Sequence, residues 1–139
     1  MKTVVSITGI SPDFIRMKEI FNLLDKNFKQ LDKNLEKKCL CISCDLTSNI
    51  QINKALFTIL NNYGGIDILI ANSGAAFQGS MSNIKKDVLE KSLEINFYSH
   101  HNIIQKISNI MVTQGIGGSI SINLSKQSVN PGKNFGPYG

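Results

Sequence analysis

At 139 residues, with 42% of positions hydrophobic and 18% charged, the chain has room for one domain around one core and is too apolar to stay disordered. A net charge of +5 arises from 15 basic residues against 10 acidic ones, all but one of the basic residues being lysine; they are scattered rather than striped with aromatics, which argues against a nucleic-acid partner. No apolar run of membrane-spanning length and no signal-peptide pattern stand in the sequence, so the expected setting is cytoplasmic and reducing, with no membrane partner.

Residues 3–8, TVVSIT, are a β-branched run ending at Gly9 and read as the first strand. A phosphate cradle behind such a strand needs glycines for the tight turn, for approach of the backbone to a pyrophosphate and for helix packing. Gly9 is followed by Ile10-Ser11-Pro12-Asp13-Phe14 and the next glycine is Gly64, so that cradle is missing or rebuilt. Ser11 as N-cap with Pro12 at the first helical position opens a helix that runs with interruptions to about Lys37, with Ile15, Ile20, Phe21, Leu24, Phe28, Leu31 and Leu35 as its apolar face, those from Ile20 on recurring at three or four residues.

Residues 39–46 are expected to form a strand in which Cys39 and Cys41 alternate as small buried hydrophobes. Cys39, Cys41 and Cys44 lie close together, but zinc takes four ligands and no second pair of Cys or His stands at a suitable spacing, so no metal site is expected. Thr47 or Ser48 then caps a helix carrying Ile52, Leu56, Ile59 and Leu60, which stops at Asn62-Tyr63-Gly64-Gly65.

The run at 66–74, IDILIANSG, is continuously apolar and breaks off in a turn, the pattern of a central parallel strand covered on both faces. Asn72, Ser73 and Gly74 put an amide, a hydroxyl and a flexible backbone where open α/β sheets bind their ligands. A long helix follows from Asn83 to Met111, with Val88, Leu89, Leu93, Phe97, Ile104 and Ile107 as its core face and Ile95, Ile103 and Ile110 off that stripe. Neighbouring His100 and His101 project about 100° apart and cannot chelate one ion; a helix-face pair near solvent or a subunit interface is expected. Residues 119–124 make the last strand, Asn123-Leu124-Ser125 a polar exit, and a loop with Pro131, Gly132, Gly136 and Pro137 arrives at Tyr138-Gly139. Alternating strands and helices predict a single α/β domain over residues 1–139, with a doubly wound parallel sheet of about four strands and right-handed crossovers.

These residues resemble the short-chain dehydrogenase/reductase family, strongly over 39–139 and weakly over 1–38. Asp45-Leu46 looks like the family's acid after its third strand, which binds the adenine amino group. Asn72-Ser73-Gly74 looks like its Asn-Asn-Ala-Gly turn with the middle positions changed. Asn96, in LEINF, falls where the family has its catalytic asparagine, and Ser125 precedes Tyr138 by the family's serine-to-tyrosine spacing. The run SKQSVNPGKNFGPYG is closest to the dehydrogenase half of bifunctional rhamnulose-1-phosphate aldolase/alcohol dehydrogenases. The resemblance implies a partial Rossmann-like fold. It also implies an NAD or NADP cofactor at Asp45, Leu46, Asn72, Ser73 and Gly74, and a small-molecule substrate.

By the same resemblance Tyr138 is the acid/base at the substrate oxygen, Ser125 a hydrogen-bond partner of that oxygen, and Asn96 a helix-bending residue that holds a proton-relaying water. The family's lysine, four residues after its tyrosine, has no counterpart within residues 1–139. A phenol of ordinary pKa needs about 4 kcal/mol of preferential anion stabilisation to ionise near neutrality, and neither Lys126 nor Lys133 is placed by the motif to give it. TVVSIT stands for either the first or the second strand of the family pattern.

The reading is therefore an NAD(P)-dependent short-chain oxidoreductase for a sugar, polyol or small hydroxy-aldehyde, as a truncated and impaired copy with cofactor binding weakened or lost. Two alternatives come from other classes: a non-catalytic binding or complementing fragment whose SISINL strand leaves an open edge, and a decayed remnant. A homo-oligomer through the long helix is the expected assembly.

Overall fold

The computed structural model describes residues 3–8 and 40–139. The turn at Gly9, the helix expected from Ser11 to Lys37, and Cys39 lie outside the described residues.

Among the described residues strand β1 (Val4–Thr8) is followed by helix α1 (Asn49–Tyr63), strand β2 (Ile68–Asn72) and helix α2 (Lys86–Leu93). A single wide turn at Glu94–Tyr98, bonded five residues apart, joins α2 to helix α3 (Ser99–Gln114); strand β3 (Ser119–Ile122) and a 3-10 turn (Lys126–Ser128) complete the chain. All strand pairs are parallel and β2 is central, in the order β1-β2-β3. Val4 lies opposite Ile68 and Thr8 opposite Asn72, while Ile68 to Ala71 run opposite Ser119 to Ile122. In the doubly wound order 3-2-1-4-5-6 the first strand flanks the fourth. With the strand that ends in Asn72-Ser73-Gly74 as the fourth, TVVSIT takes the place of the first.

Steps in one direction across a parallel sheet, each crossing right-handed, put the connecting helices on one face. Accordingly Ile52 and Leu56 of α1 and Ile103, Ile107 and Met111 of α3 share one core with Ile66 and Leu69, and Val5 and Ile7 of β1 pack against it. Burying these aliphatic side chains, at about 1.5–3 kcal/mol each, is the main force holding the layers together.

Ser48 is the cap of α1, accepting the Gln51 N–H at 3.4 Å, and Gly64 ends that helix in a left-handed turn at φ 78° with its N–H on the Leu60 carbonyl at 2.8 Å. A side chain at Gly64 would be strained there, which is why the sequence breaks in Gly-Gly.

Three expectations are corrected. Residues 40–46, the described part of the strand expected at 39–46, form no strand, and three strands stand among the described residues. Cys41 is exposed, not buried, because an alternating pattern buries a side chain only when the segment finds a neighbouring strand. The long helix starts at Lys86, and its inward face is Ser92, Ser99, Ile103, Ile107 and Met111 rather than the stripe through Leu93 and Phe97, which are 41% and 60% exposed. The wide turn at Glu94–Tyr98 inserts an extra residue; beyond it Ile104 and Ile107 lie on the core as expected, and Ile103 joins them rather than standing off that stripe.

Candidate active site

In a parallel sheet every strand delivers its last residues to the same rim. Asn72 ends β2, and Asn123 follows β3 beside it and donates its side-chain N–H to the Asn72 side-chain carbonyl. Ser125 stands two residues farther on. It caps the 3-10 turn, its Oγ accepting the Gln127 N–H at 3.2 Å, while the Ser128 hydroxyl donates to its carbonyl at 2.7 Å.

Asn96 lies in the wide turn of the long helix and faces this rim. Its Oδ1 accepts the Ala75 N–H at 2.9 Å, and its Nδ2 donates to the Ala75 carbonyl at 2.9 Å and to the Ser92 hydroxyl at 3.2 Å. Both amide protons and one acceptor position are thereby used within the protein. Asn in a helix interior competes with the backbone for partners; here that tendency serves to clamp the exit of β2. A Cβ on Gly74 would sit 3.1 Å from Asn96 Oδ1, so the turn and the helix approach as closely as a glycine permits.

The structure also brings in two residues that the sequence reading did not assign. His100 is half-buried, its Nε2 2.7 Å from the Ser73 carbonyl and 3.2 Å from the Ser73 hydroxyl, so the expectation of a solvent or interface position holds only for the exposed His101. A carbonyl can only accept, which puts a proton on Nε2. Ser92 is buried and donates its hydroxyl proton to the Pro137 carbonyl at 2.5 Å. Ser92, Asn96 and His100 are four residues apart, a polar line along one side of the long helix; that spacing is the sequence signal that could have found them.

Tyr138 sits half-buried in a tight turn closed by its own N–H and that of Gly139 on the Phe135 carbonyl, at 3.0 and 2.8 Å. A second tie holds this loop from the other side, where the Gly79 N–H meets the Asn134 carbonyl at 2.7 Å.

Asp45 is exposed and bonds locally: it accepts from the Thr47 N–H at 2.9 Å and hydroxyl at 2.8 Å, and these bonds hold its carboxyl below the usual carboxylate range. Helix α1 runs down from Asp45 to the start of β2, and its 15 residues span about 22 Å, which places Asp45 toward the carboxyl rim. No hydrogen bond joins Asp45 to Asn72, Asn96, Ser125 or Tyr138. The Leu46 side chain packs against the core. Burial, and then the neighbouring Asp45 charge, push the Cys44 thiol up.

Among the described residues no three His, Cys, Asp or Glu side chains come together as a metal site, and no helix is long and apolar enough to cross a membrane. A shallow groove lined by Leu60, Gly64, Ile110 and Gln114 lies at the opposite rim, where β2 begins, away from these groups.

The family described as short chain dehydrogenase matches residues 14–139, reaching well into the segment where the motifs are weak. The chain is 27% identical over 92 residues to galactitol 2-dehydrogenase of Agrobacterium fabrum, a match covering 66% of this chain and 36% of that protein. It is 35% identical over 82 residues to dehydrogenase/reductase SDR family member 4 of Oryctolagus cuniculus, covering 58% of this chain and 31% of that one. The fold superposes on NAD+-bound xylitol dehydrogenase with a TM-score of 0.70 at 21% identity, over 99% of this chain and 49% of that one. The chain thus spans about a third of the curated relatives and half of the solved structure.

Proposed function

The chain belongs to the short-chain dehydrogenase family, and from that premise we propose that it is an NAD(P)-dependent oxidoreductase for a sugar, a polyol or a small hydroxy-aldehyde, working in the cytoplasm. The observation that carries the proposal is the pair of hydrogen bonds between the Asn96 side chain and the Ala75 backbone, which clamps the Asn72–Gly74 turn at the carboxyl end of the central strand. Such a rim is where an open parallel sheet receives a dinucleotide, and the close approach of Gly74 to Asn96 suits a ligand that lies against backbone. Asp45 and the Leu46 backbone would hold the adenine end, and Asn72, Ser73 and Gly74 the rest of the cofactor. Bound there, the nicotinamide supplies the hydride chemistry.

The chain's own residues supply the proton chemistry and the orientation. Tyr138 gives a proton to the substrate oxygen in reduction and takes it back in oxidation. Ser125 steadies the same oxygen: its Oγ accepts from Gln127, which leaves the hydroxyl proton for an acceptor. The polyol and hydroxy-aldehyde class is favoured by the likeness to galactitol 2-dehydrogenase and by the aldolase-linked dehydrogenases that the 125–139 run resembles. Between Gly9 and Gly64 no further glycine stands for a pyrophosphate cradle, so weakened cofactor binding is part of the proposal.

The test combines thermal unfolding with NAD or NADP and nicotinamide absorbance with a panel of polyols and hydroxy-aldehydes. A cofactor-dependent rise in Tm, or slow turnover lost in Tyr138→Phe, is the expected result. No response to either cofactor by either measure overturns the reading.

A second reading is a complementing module. It is favoured by β3, which pairs only with β2 among the described residues and leaves Ile120 and Ile122 exposed on its edge. Co-expression with the carboxyl-terminal half of a full-length relative separates the two, since a complementing module co-purifies with it and gains activity. A homo-oligomer would use the exposed Leu93, Phe97 and Tyr98; a monomer in sedimentation at micromolar concentration rejects it.

A further inference from the structure

We propose that Ser92 is a positioning residue that fixes the Tyr138 turn against Asn96. The role rests on Tyr138 being the acid/base of the proposed reaction, and it goes beyond that reading by naming what sets the phenol's place.

Ser92 is 1% exposed, and its hydroxyl has one proton to give and two lone pairs. The proton goes to the Pro137 carbonyl at 2.5 Å, and an Asn96 Nδ2 proton comes in at 3.2 Å. Three other helical hydroxyls behave differently. Thr58, Ser99 and Thr113 each donate to the carbonyl four residues earlier, at 2.9, 2.6 and 2.8 Å, the ordinary outlet for such a group in a helix. Ser92 leaves its own helix and crosses to the loop.

The acceptor is also particular. Proline has no N–H, so its carbonyl is the only backbone handle at that residue, and it is one peptide link from Tyr138. Among the described residues this is the one hydrogen bond from the long helix to the Phe135–Gly139 turn; the tie from Gly79 reaches Asn134, on the far side. The result is a continuous relay from Ala75 through Asn96 and Ser92 to Pro137, joining the exit of the central strand to the turn that carries the phenol. A misplacement of about 1 Å at a reacting group can lower a rate by about 10²-fold, so a rigid bond at this point matters more than its energy.

The experiment is NMR of the full chain with isotope-labelled tyrosine. Tyr63, Tyr98 and Tyr138 are assigned by single Phe substitutions. In Ser92→Ala the Tyr138 ring resonance is expected to move by more than its linewidth while that of Tyr63 stays, and Ser92→Thr, which restores a hydroxyl, should return it toward the wild-type position. An unmoved Tyr138 resonance in folded Ser92→Ala overturns the proposal. A measurement on the wild type guards against variants that fail to fold: the Asn96 side-chain amide protons should exchange with solvent far more slowly than those of exposed Asn49. Equal exchange shows that the relay does not exist and overturns the proposal as well. None of these readouts needs a cofactor, so failure of the oxidoreductase reading, seen as no response to NAD or NADP, is distinguishable from failure of the relay.

Discussion

Gln114 meets Ile66 as a neighbouring strand would: its Oε1 accepts the Ile66 N–H at 2.6 Å and its Nε2 donates to the Ile66 carbonyl at 2.9 Å. Asn96 does the same to Ala75 at the other end of β2, so the long helix is pinned to the central strand segment by two amide side chains.

Because Ile66 is fully buried, its backbone has no ready alternative in water, and truncating Gln114 to Ala leaves one donor and one acceptor unpaired. The expected loss is about 3 kcal/mol, read as a lower urea midpoint at unchanged slope. Gln114→Glu should be nearly as harmful at neutral pH, since a carboxylate keeps the bond from Ile66 N–H but faces the Ile66 carbonyl with a second acceptor. Its deficit should shrink in acid, where the protonated carboxyl can donate.

These anchors explain why the sequence was legible in some places and not in others. The β2 run, the stop of α1 at Gly64 and the capping near Ser48 are local signals and read correctly. The expected strand at 39–46 failed in its described part because alternation in LCISC says nothing about whether a partner strand is within reach. The face of the long helix was read only in part: Ile104 and Ile107 lie on the core as expected, whereas Leu93 and Phe97 do not, because the extra residue at Glu94–Tyr98 changes the period within the helix, and no composition signal marks it except Asn96 itself. Ser92 and His100 were missed for a related reason: a small hydroxyl and a histidine on a helix are mostly bystanders, and only their spacing from Asn96 sets them apart.

His100 should matter to the turn that follows β2. Replacing it with Ala removes the donor to the Ser73 carbonyl, and a loss of about 1 kcal/mol is expected from one hydrogen bond. If the Asn72–Gly74 turn receives the cofactor, His100→Ala should also reduce the Tm rise produced by NAD or NADP by more than its own Tm loss explains. An equal rise in both proteins would confine His100 to stability.

The Asp45 carboxyl is held low first by the Thr47 backbone N–H and then by its hydroxyl. A carboxylate whose folded pKa lies below its unfolded value, near 3.9, adds stability that is present above the unfolded pKa and is lost as pH falls through the folded one. Tm measured against pH should therefore show wild type above Asp45→Ala at pH ~6. The two curves should converge as the pH falls below about 4. A constant gap across that range would mean that the Asp45–Thr47 bonds act by shape and not by charge.

Cys41 and Cys44 should differ in reactivity. Cys41 is exposed, whereas burial and the adjacent Asp45 charge keep the Cys44 thiol protonated to higher pH. Since the thiolate is the nucleophile, iodoacetamide at neutral pH should label Cys41 well before Cys44, as read by peptide mass mapping. Asp45→Asn removes the second of the two causes and should narrow the interval.

Two glycines test how much room a methyl group needs. A Cβ on Gly118 would lie 2.7 Å from Met111 Cγ and closer still to its Sδ, and one on Gly136 would lie 2.5 Å from Met81 Cγ. The distances are alike, but the neighbours are not. Met111 is 6% exposed and belongs to the core shared by α1, α3 and the sheet, whereas Met81 is 64% exposed and can swing into solvent. Gly118→Ala should therefore cost about 1–3 kcal/mol, as overpacking does, and Gly136→Ala should stay within about 0.5 kcal/mol. In a Met111→Ala background the obstacle at Gly118 is gone, so adding Gly118→Ala there should cost far less than in the wild type. That non-additivity, measured by urea unfolding of the four proteins, assigns the penalty to the Met111 contact; simple additivity would place it in the backbone of the turn before β3.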